Sequence, residues 1–575
     1  MSSWWQRFPG RLEAELEAFR ARGLEFERDE ALFRDAGRVL LRGSLPHGRE
    51  AVRLEVLYPD LFPYLRPEIY APDLALGRHQ NPREHNLCLL DRSTRFWLPS
   101  DTAAWLVGER VPHLLSLFAQ GADAMAAAEA PQGEPVSAYF QTALGAAIFV
   151  PAETLALPAE HLFGSGHLCL TGETPPRVLL RGLLAQLVVK PRAGKTKRVA
   201  QADAGLVSRF GGRQLSMRWA RLDEPPQGFD PDAVFEAADA VQTGFGRPPW
   251  QAVNDGEVAI VGLVFPEEVR QGEFDDTWVF GVRARRRTAA GMQEGSYVVR
   301  GERLTRDDLG TRIPTVAHLA TKTVAIAGLG AIGAPIALEL ARNQTGRLRL
   351  LEHDIVEAAQ TVRFPFGLPA VGHPKLEVVA HFVEANHPFT DIERFAHRLG
   401  QTASDRHGRS ENEFDLVDRF LRDADLLVDA TAEIAIQQLL SEAANDLGLR
   451  QLLVSATEGA RGGQIARLVP GGGGCWHCWK RHVSDGTIPL PPRDDTGTVQ
   501  PRGCAEATFT GTSFDLLPIV AQAARAATAT LAEGPEDRLT SVVWVCALPE
   551  AGASAPLWSE HPVTRHPECA RCATD

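Results

Sequence analysis

The sequence of 575 residues has few cysteines and no long apolar segment. Its 8 cysteines are too few for a disulfide scaffold in a chain of this length, so we expect a cytoplasmic protein whose thiols are free to bind metal or to react. No run approaches the roughly 20 apolar residues that a membrane span needs. The first ten residues, MSSWWQRFPG, lack the apolar core of a signal peptide. We therefore expect no membrane association.

The sequence also lacks an excess of positive charge. It has 60 lysines and arginines against 73 acidic residues, and its formal net charge of −13 argues against a general nucleic-acid binder. A hydrophobic content of 44% and a charged content of 23% are ordinary for a globular protein. The length is sufficient for roughly three or four domains, each with its own core.

The clearest motif lies in residues 323–375. A short apolar run at residues 324–327 predicts a buried strand, and the loop GLGAIG, with Gly328, Gly330 and Gly333, follows at once and leads into an apolar helix. A second strand at residues 347–351 ends in Glu352, nineteen residues after the last glycine of the loop. Such glycines let backbone N–H groups approach a phosphate, and an acid at that distance is placed to hold a ribose hydroxyl. The pattern predicts a nucleotide-binding Rossmann-like unit.

Charged residues after Glu352 argue against a dehydrogenase. Asp354, Arg363 and Lys375 follow, and two of the three are cations. Hydride transfer needs no cations at a triphosphate, whereas attack on an α-phosphate does, because charge builds up on the phosphoryl oxygens and the leaving pyrophosphate. Solvated surface charge is the alternative reading of these two cations.

The glycine loop, Glu352 and Asp354, Arg363, and the GHPK run that ends at Lys375 together resemble the adenylation domain of ubiquitin-activating enzymes. That superfamily includes the bacterial ThiF and MoeB adenylyltransferases. The resemblance implies ATP and Mg²⁺ as cofactors. It places Glu352 on the ribose and Arg363 and Lys375 on the triphosphate.

The sequence departs from this family at two positions. Gln360 stands where the family usually has an asparagine, and Ala432 stands where it usually has a magnesium-binding aspartate. Magnesium would then be held by Asp429 or Asp354. Strand-like runs at residues 424–431 and 451–456 flank a predicted helix at 434–446, which continues a doubly wound α/β pattern.

The first 120 residues carry a second ordered set of motifs. An amphipathic helix at residues 10–22 precedes strand-like runs at 37–43, 51–58 and 67–70, which predicts an α+β domain. These runs are followed, in chain order, by the tripeptide His79-Gln80-Asn81, Cys88, the run Trp97-Leu98-Pro99 and a predicted helix at 101–119. This order resembles ubiquitin-conjugating enzymes over roughly residues 10–120. The resemblance makes Cys88 the thioester-forming cysteine and gives Asn81 the role of stabilising the oxyanion during attack by an amine.

Two other readings of this region stay open. Cys88 could be a small buried hydrophobe, which is the commonest fate of a free cysteine. Gln80 replaces the usual proline of the tripeptide, and His85 or Asn86 could take over part of the polar role beside Cys88.

The region between the two sets of motifs contains no recognisable set of catalytic residues. Residues 121–135 are rich in alanine, glycine, proline and glutamate and are typical of a linker. We predict three domains: a conjugating-enzyme-like domain at residues 1–130, a mixed linking domain at 136–313, and an adenylation domain at 314–575.

Two CxxC pairs lie between residues 475 and 572. Cys475 and Cys478 form one pair, and Cys569 and Cys572 form the other. Four thiolates in tetrahedral arrangement suit a closed structural Zn²⁺ site, and split pairs of this kind also occur in the ThiF-type family. A redox CxxC is the alternative.

Cys504 lies between the pairs, after a proline-rich polar stretch and before an apolar helix. This placement resembles the cysteine that precedes a helix after the crossover loop in ThiF- and MoeB-type proteins. A thiol at a helix N-terminus has a lowered pKa, so more of it is thiolate at neutral pH. Attack on a nearby acyl-adenylate would split one hard acyl transfer into two easier ones.

The two resemblances together predict a fusion of an activating-type domain with a conjugating-type domain, similar to fusion proteins of bacterial CBASS antiphage operons. Such an enzyme adenylates the C-terminus of a protein, passes the acyl group from Cys504 to Cys88 and joins it to an amine on a target protein. The activated protein would be a cyclic-nucleotide synthase or a ubiquitin-like protein, and related adenylation domains suggest a homodimer.

Two alternative functions remain. The first is a sulfur-carrier adenylyltransferase with a non-catalytic N-terminal domain. The second is a scaffold that binds ATP without turnover, which Ala432 favours.

Overall fold

The computed structural model describes residues 3–48, 50–90, 96–121, 133–173, 180–190, 195–210, 212–253, 256–400, 412–500, 508–532, 539–548 and 555–572. The chain divides into two compact units, Met1–Leu304 and Thr305–Asp575. Within these ranges no helix combines the length and the apolar character that crossing a bilayer requires.

The first unit begins with a four-stranded antiparallel meander. Its strands are β1 (Phe26–Arg28), β2 (Leu40–His47), β3 (Glu50–Leu57) and β4 (Glu68–Tyr70), paired in chain order. The α-helices around it are Trp4–Arg7, Arg11–Arg20, Glu30–Ala36, Ala103–Trp105 and Val111–Gln120, with a π-helical turn at Leu106–Arg110 before the last. Leu54 and Val56 are fully buried and alternate with polar residues along β3, which lies within one residue of the strand predicted at 51–58.

A buried acid on helix Arg11–Arg20 connects that helix to the residue after β3 and to helix Ala103–Trp105. The Glu15 carboxylate accepts the Tyr58 hydroxyl at 3.0 Å and the Ala103 N–H at 2.8 Å, and it pairs with Arg11 at 2.9 Å. Burial raises the pKa of Glu15, while these contacts lower it. Because a buried carboxylate is costly unless it is paired, the three contacts explain how it is retained in an apolar core.

The second sheet of this unit has nine strands: β5 (Ala147–Val150), β6 (Phe163–Glu173), β7 (Leu180–Val189), β8 (Lys197–Gln201), β9 (Gln214–Arg221), β10 (Gln251–Val253), β11 (Gly256–Arg270), β12 (Glu273–Thr288) and β13 (Gly291–Arg303). Seven of them pair in a closed circuit, β11-β12-β13-β5-β7-β6-β9 and back to β11, which makes a barrel. Helices Ala204–Phe210 and Pro231–Val241 and a 3₁₀ turn at Val136–Tyr139 accompany it. Along β11, Val258, Ile260 and Val264 enter one core cluster, whereas Val261, Leu263 and Phe265 enter another that includes the second helix.

The second unit is built on an eight-stranded sheet. Its strands are β14 (Thr323–Ala327), β15 (Arg347–Leu351), β16 (Asp391–Phe395), β17 (Leu426–Asp429), β18 (Gln451–Ala456), β19 (Gly462–Leu468), β22 (Val542–Ala547) and β23 (Leu557–Pro562). The order is β16-β15-β14-β17-β18-β19-β22-β23; the first five are parallel and the last three antiparallel. A separate ribbon pairs β20 (Thr498–Val499) with β21 (Thr508–Phe509).

Helices cover both faces of the parallel strands. They are Arg306–Gly310, Gly333–Arg342, Lys375–Asn386, Glu413–Leu421, Ile434–Asp446, Trp476–Ser484 and Ser513–Ala532, with 3₁₀ turns at Pro314–Thr321, Ala358–Val362, Leu368–Ala370 and Glu458–Ala460. Val324 and Ile326 of β14 pack in one core cluster and Ala325 and Ala327 in another, so both faces of the strand are buried. The predicted doubly wound Rossmann-like fold is confirmed here. The strand order reverses beside β14, which is where such folds bind ligands.

Candidate functional site

The glycine loop follows β14 at the carboxyl edge of the sheet. Gly328 has φ 82°, and a Cβ there would lie 3.0 Å from the backbone of Ala430 and Thr431. A Cβ on Gly333 would lie 1.8 Å from the Gly328 oxygen, so both positions require glycine. At Gly330, by contrast, no atom of the described chain comes within 4 Å of the Cβ position. That open side leaves room for a ligand against the loop, which fits a phosphate group.

Glu352 joins this loop to the next strand. It is 6% exposed, and its Oε2 accepts the Leu329 N–H at 2.8 Å. Its Oε1 accepts the N–H groups of His353 at 2.7 Å and Asp354 at 2.9 Å. Three N–H donors therefore fix the carboxylate of the predicted ribose ligand, and the one from Leu329 ties it to the glycine loop. The contact from Leu329 is one that sequence spacing did not reveal.

Lys375 and Asp354 form an ion pair beside Glu352. Lys375 begins its helix, is 7% exposed, and places Nζ 2.9 Å from Asp354 Oδ2. The Asp354 side chain is 50% exposed. Glu352, His353 and Asp354 also bring ligand atoms within 4.8 Å of one another, a spacing that could hold a metal ion. One predicted cation and one predicted magnesium ligand are thus brought together.

Asp429, the other candidate magnesium ligand, is fully buried at the end of β17. Its Oδ1 accepts the Thr431 N–H at 3.0 Å and hydroxyl at 2.7 Å, whereas its Oδ2 has no hydrogen-bond partner among the described residues. Burial raises the pKa of Asp429 to about 6. The opposite charge of Lys480, whose own pKa burial lowers to about 8, acts in the other direction. Lys480 was missed from the sequence, because nothing in its local pattern points to Asp429.

The Arg363 side chain is hydrogen-bonded to other residues of the chain in this structure. Its guanidinium donates to the Phe509 carbonyl at 2.7 Å and the Thr508 hydroxyl at 3.2 Å, and lies 4.6 Å from the Phe509 ring centroid. These two residues form β21. Cys504 lies in residues 501–507, outside the described part of the chain, so its predicted role stays a prediction.

The four paired cysteines meet in one cluster. Sulfur–sulfur distances are 3.9 Å for Cys475–Cys478, 3.7 Å for Cys475–Cys569, and 3.6 Å for both Cys478–Cys572 and Cys475–Cys572. Tetrahedral thiolates with metal–sulfur bonds near 2.3 Å give sulfur–sulfur distances of about 3.8 Å. The His566 N–H donates to the Cys478 sulfur at 3.3 Å, a contact typical of a thiolate ligand's surroundings. The geometry of the donor set fits a zinc ion.

Cys88 lies in the first unit and is exposed. It lines a groove of about 690 Å³ together with Tyr64, Tyr70, Asn86 and Trp97. The Asn86 Oδ1 is buried and has no hydrogen-bond partner among the described residues. Because Cys88 is exposed, the interpretation of this residue as a small buried hydrophobe is wrong.

Two side chains of the tripeptide before Cys88 stabilise the local turn through hydrogen bonds to the backbone. Asn81 Oδ1 accepts the N–H groups of Arg83 at 2.9 Å and Glu84 at 3.1 Å, so its carbonyl caps the turn. Gln80 is 5% exposed; its Oε1 accepts the Leu76 N–H at 2.7 Å and its Nε2 donates to the Ala71 carbonyl at 3.0 Å. The side chain of Gln80 thus stabilises this turn through hydrogen bonds to the backbone of Leu76 and Ala71.

Comparisons with known proteins cover both the whole chain and its second unit. Residues 310–570 match the model of the ThiF family. Over 99% of this chain and 97% of the relative, the sequence is 32% identical to the uncharacterized protein y4oA of Sinorhizobium fredii.

Two shorter matches name activities of other proteins. The chain is 26% identical to ubiquitin-like modifier-activating enzyme 5 of Rattus norvegicus, over 28% of this chain and 40% of that protein. It is 28% identical to the adenylyltransferase and sulfurtransferase MOCS3 of Sus scrofa, over 34% of this chain and 37% of that protein.

Proposed function

Because the chain belongs to the same family as y4oA and carries a ThiF family domain, we propose that it is an ATP-dependent enzyme that adenylates the C-terminus of a protein. The observation that carries this proposal is the arrangement at the carboxyl edge of β14. There the glycine loop, the Glu352 carboxylate bonded to it and the buried Lys375 ammonium lie side by side. This arrangement suits a nucleoside triphosphate better than a redox cofactor, because it adds a cation where leaving-group charge would form.

In the first step, a carboxylate oxygen of the protein C-terminus attacks the α-phosphorus of ATP. The α–β phosphoanhydride bond breaks, pyrophosphate leaves with the bonding electron pair, and an acyl-adenylate forms. Glu352 would accept a ribose hydroxyl, and Lys375 and Arg363 would neutralise the pyrophosphate charge. Arg363 would exchange its bonds to β21 for phosphate contacts, which couples the nucleotide site to the residues next to Cys504.

Mg²⁺, when bound, would neutralise phosphate charge and orient the triphosphate. Asp354 suits this role better than Asp429, because the Asp354 side chain is half exposed and the Asp429 carboxylate is fully buried. Zn²⁺ would occupy the cluster of four cysteines, and with four protein ligands it would be structural.

Two thiols would then carry the acyl group. The Cys504 thiolate attacks the acyl carbonyl and releases AMP, and the Cys88 thiolate takes the acyl group by thioester exchange. A target amine attacks the Cys88 thioester, forms an amide and releases the thiol. The exposure of Cys88 in a groove supports this reading. The activated protein would be a cyclic-nucleotide synthase, in bacterial antiphage defence, or a ubiquitin-like protein, and the enzyme would act as a homodimer.

The test combines pyrophosphate exchange with non-reducing gels. The full chain is incubated with ATP, Mg²⁺ and candidate synthases or ubiquitin-like proteins, as wild type, Cys504→Ala, Cys88→Ala and the control Cys169→Ala. Exchange should require the partner's C-terminus and survive all three substitutions. Reductant-sensitive adducts should vanish in Cys504→Ala and accumulate on Cys504 in Cys88→Ala. Absence of any exchange would refute the adenylation itself and favour the scaffold.

The second candidate is sulfur-carrier adenylation with a non-catalytic N-terminal domain. The similarity to MOCS3, an adenylyltransferase and sulfurtransferase, favours it. It predicts that Cys88→Ala behaves as wild type through to the final product. It also predicts that sulfide from a sulfur donor displaces AMP from the acyl-adenylate and leaves a thiocarboxylate, which mass spectrometry detects as the replacement of one oxygen by sulfur.

A further inference from the structure

The loop that carries Cys88 is held by a residue from outside the four-stranded meander. Glu134 lies at the end of the stretch expected to be a linker, yet its carboxylate accepts the His79 N–H at 3.0 Å and 2.8 Å through its two oxygens. The His79 Nδ1 also lies 3.4 Å from Glu134 Oε1. Both side chains are largely buried, with exposed fractions of 16% for His79 and 18% for Glu134.

The His79 backbone connects this carboxylate to the cysteine. Its φ of 57° is unusual for a residue with a Cβ, so the conformation needs support from its surroundings. The His79 carbonyl accepts the Cys88 N–H at 2.7 Å. The two residues face each other in the pairing that includes the bridge between Gln80 and Leu87. The backbone of a single residue, His79, therefore connects the Glu134 carboxylate to the N–H of Cys88.

Glu134 is itself anchored on the barrel. Its N–H donates to Glu268 Oε2 of β11 at 3.1 Å. Glu268 also forms an ion pair with Arg78, next to His79, and its Oε1 accepts the Gly272 N–H at 2.8 Å. The preceding Gly133 approaches β11 so closely that a Cβ would lie 2.5 Å from the Glu268 carbonyl oxygen.

We propose that Glu134 is a positioning residue for acyl transfer at Cys88, and that it links the Cys88 loop to the barrel through Glu268. The role in acyl transfer rests on the function proposed above. The chain of contacts runs from β11 through Glu268, Glu134 and the His79 peptide to Cys88. An amine can attack a thioester only from a narrow range of directions, so a loosened loop costs rate even though no reacting atom is removed.

The structural part is tested by hydrogen–deuterium exchange on the full chain. Glu134→Ala should speed exchange of the His79 amide by roughly tenfold, because a charge-assisted bond is lost, and the Cys88 amide should follow. Gly133→Ala should have the same effect without touching the carboxylate, since the added methyl collides with β11. Glu134→Gln keeps the shape and one acceptor and should fall between. Glu224→Gln, at an exposed acid of the same unit, is the control and should match wild type.

The functional part is tested by single-turnover discharge of the Cys88 thioester to free lysine. Glu134→Ala should lower the maximal rate by roughly tenfold with little change in the lysine concentration at half-maximal rate, and Glu134→Gln should restore part of it. Loading of Cys504 should not change. Exchange and discharge that match the control in both Glu134→Ala and Gly133→Ala would overturn the proposal.

Failure of the proposed function gives a different result. Full conjugation by Cys88→Ala would remove the role in acyl transfer, while the exchange measurements would still decide whether Glu134 holds the Cys88 loop. Should Glu134→Ala fold poorly, Glu134→Gln carries both measurements.

Discussion

Replacing Asp429 with asparagine should make the stability of the second unit less dependent on pH. Asp429 is fully buried, its Oδ2 has no hydrogen-bond partner among the described residues, and burial raises its pKa from 3.8 to about 6. The folded state therefore holds this proton more tightly than the unfolded state does. As the pH rises from about 4 towards 7, ionisation is easier in the unfolded chain, so the group progressively destabilises the folded state.

The size of the effect follows from the two pKa values. A pKa of about 6 in the folded state against 3.8 in the unfolded state destabilises the folded state by about 3 kcal/mol above pH 7, and about 1.4 kcal/mol of this develops between pH 5 and pH 8. Asparagine has the same shape and does not titrate. Its other effects on packing are the same at each pH, so they cancel when the difference between variant and wild type is compared across pH.

The assay is differential scanning calorimetry of the full chain at pH 5, 6, 7 and 8. The melting temperature of Asp429→Asn relative to wild type should rise by about 3–5 °C from pH 5 to pH 8. Asp415→Asn, at an exposed acid on a helix of the same unit, should show no such trend. A difference that stays constant with pH would refute the inference that Asp429 is an acid destabilised by burial.

Three further predictions concern the nucleotide and metal sites. Lys375→Met should lower ATP–pyrophosphate exchange about a hundredfold, because it removes a buried cation that we propose contacts the triphosphate. The control is Lys322→Met, which breaks a 3.2 Å ion pair with Asp425, and an equal loss in both variants would count against a phosphate contact. Cys478→Ser should reduce bound zinc, measured by mass spectrometry of the metal, and lower the melting temperature, since one of four thiolates is lost; an unchanged metal content would contradict the zinc assignment. Ala432 has φ 58°, a conformation in which aspartate is commoner than alanine, so the variant Ala432→Asp should fold normally. The added carboxylate should reduce the Mg²⁺ concentration needed for half-maximal pyrophosphate exchange. An unaltered Mg²⁺ dependence would show that this position does not face the metal.

Local patterns in the sequence determined much of the second unit. Strand β15 spans residues 347–351 and β18 spans 451–456, as predicted. Strand β15 alternates arginine with leucine, whereas β18 contains the apolar run Leu452 to Val454 that is typical of a buried parallel strand. The sequence was also sufficient to assign the glycine loop and Glu352 to one nucleotide-binding unit. A strand, a tight turn and a helix form one short unit, in which spacing along the chain sets spacing in the fold.

The tertiary structure decided which partners the functional side chains have. The two CxxC pairs are 91 residues apart in the chain, yet their sulfurs lie within 4.8 Å of one another. Elements distant in sequence also determine three other features. They bury Asp429, supply the β21 acceptors of Arg363, and bring the Glu134 carboxylate to the His79 N–H. The reason is physical: periodicity shows which face of an element is buried, but burial and hydrogen bonding are set by whichever element packs against that face.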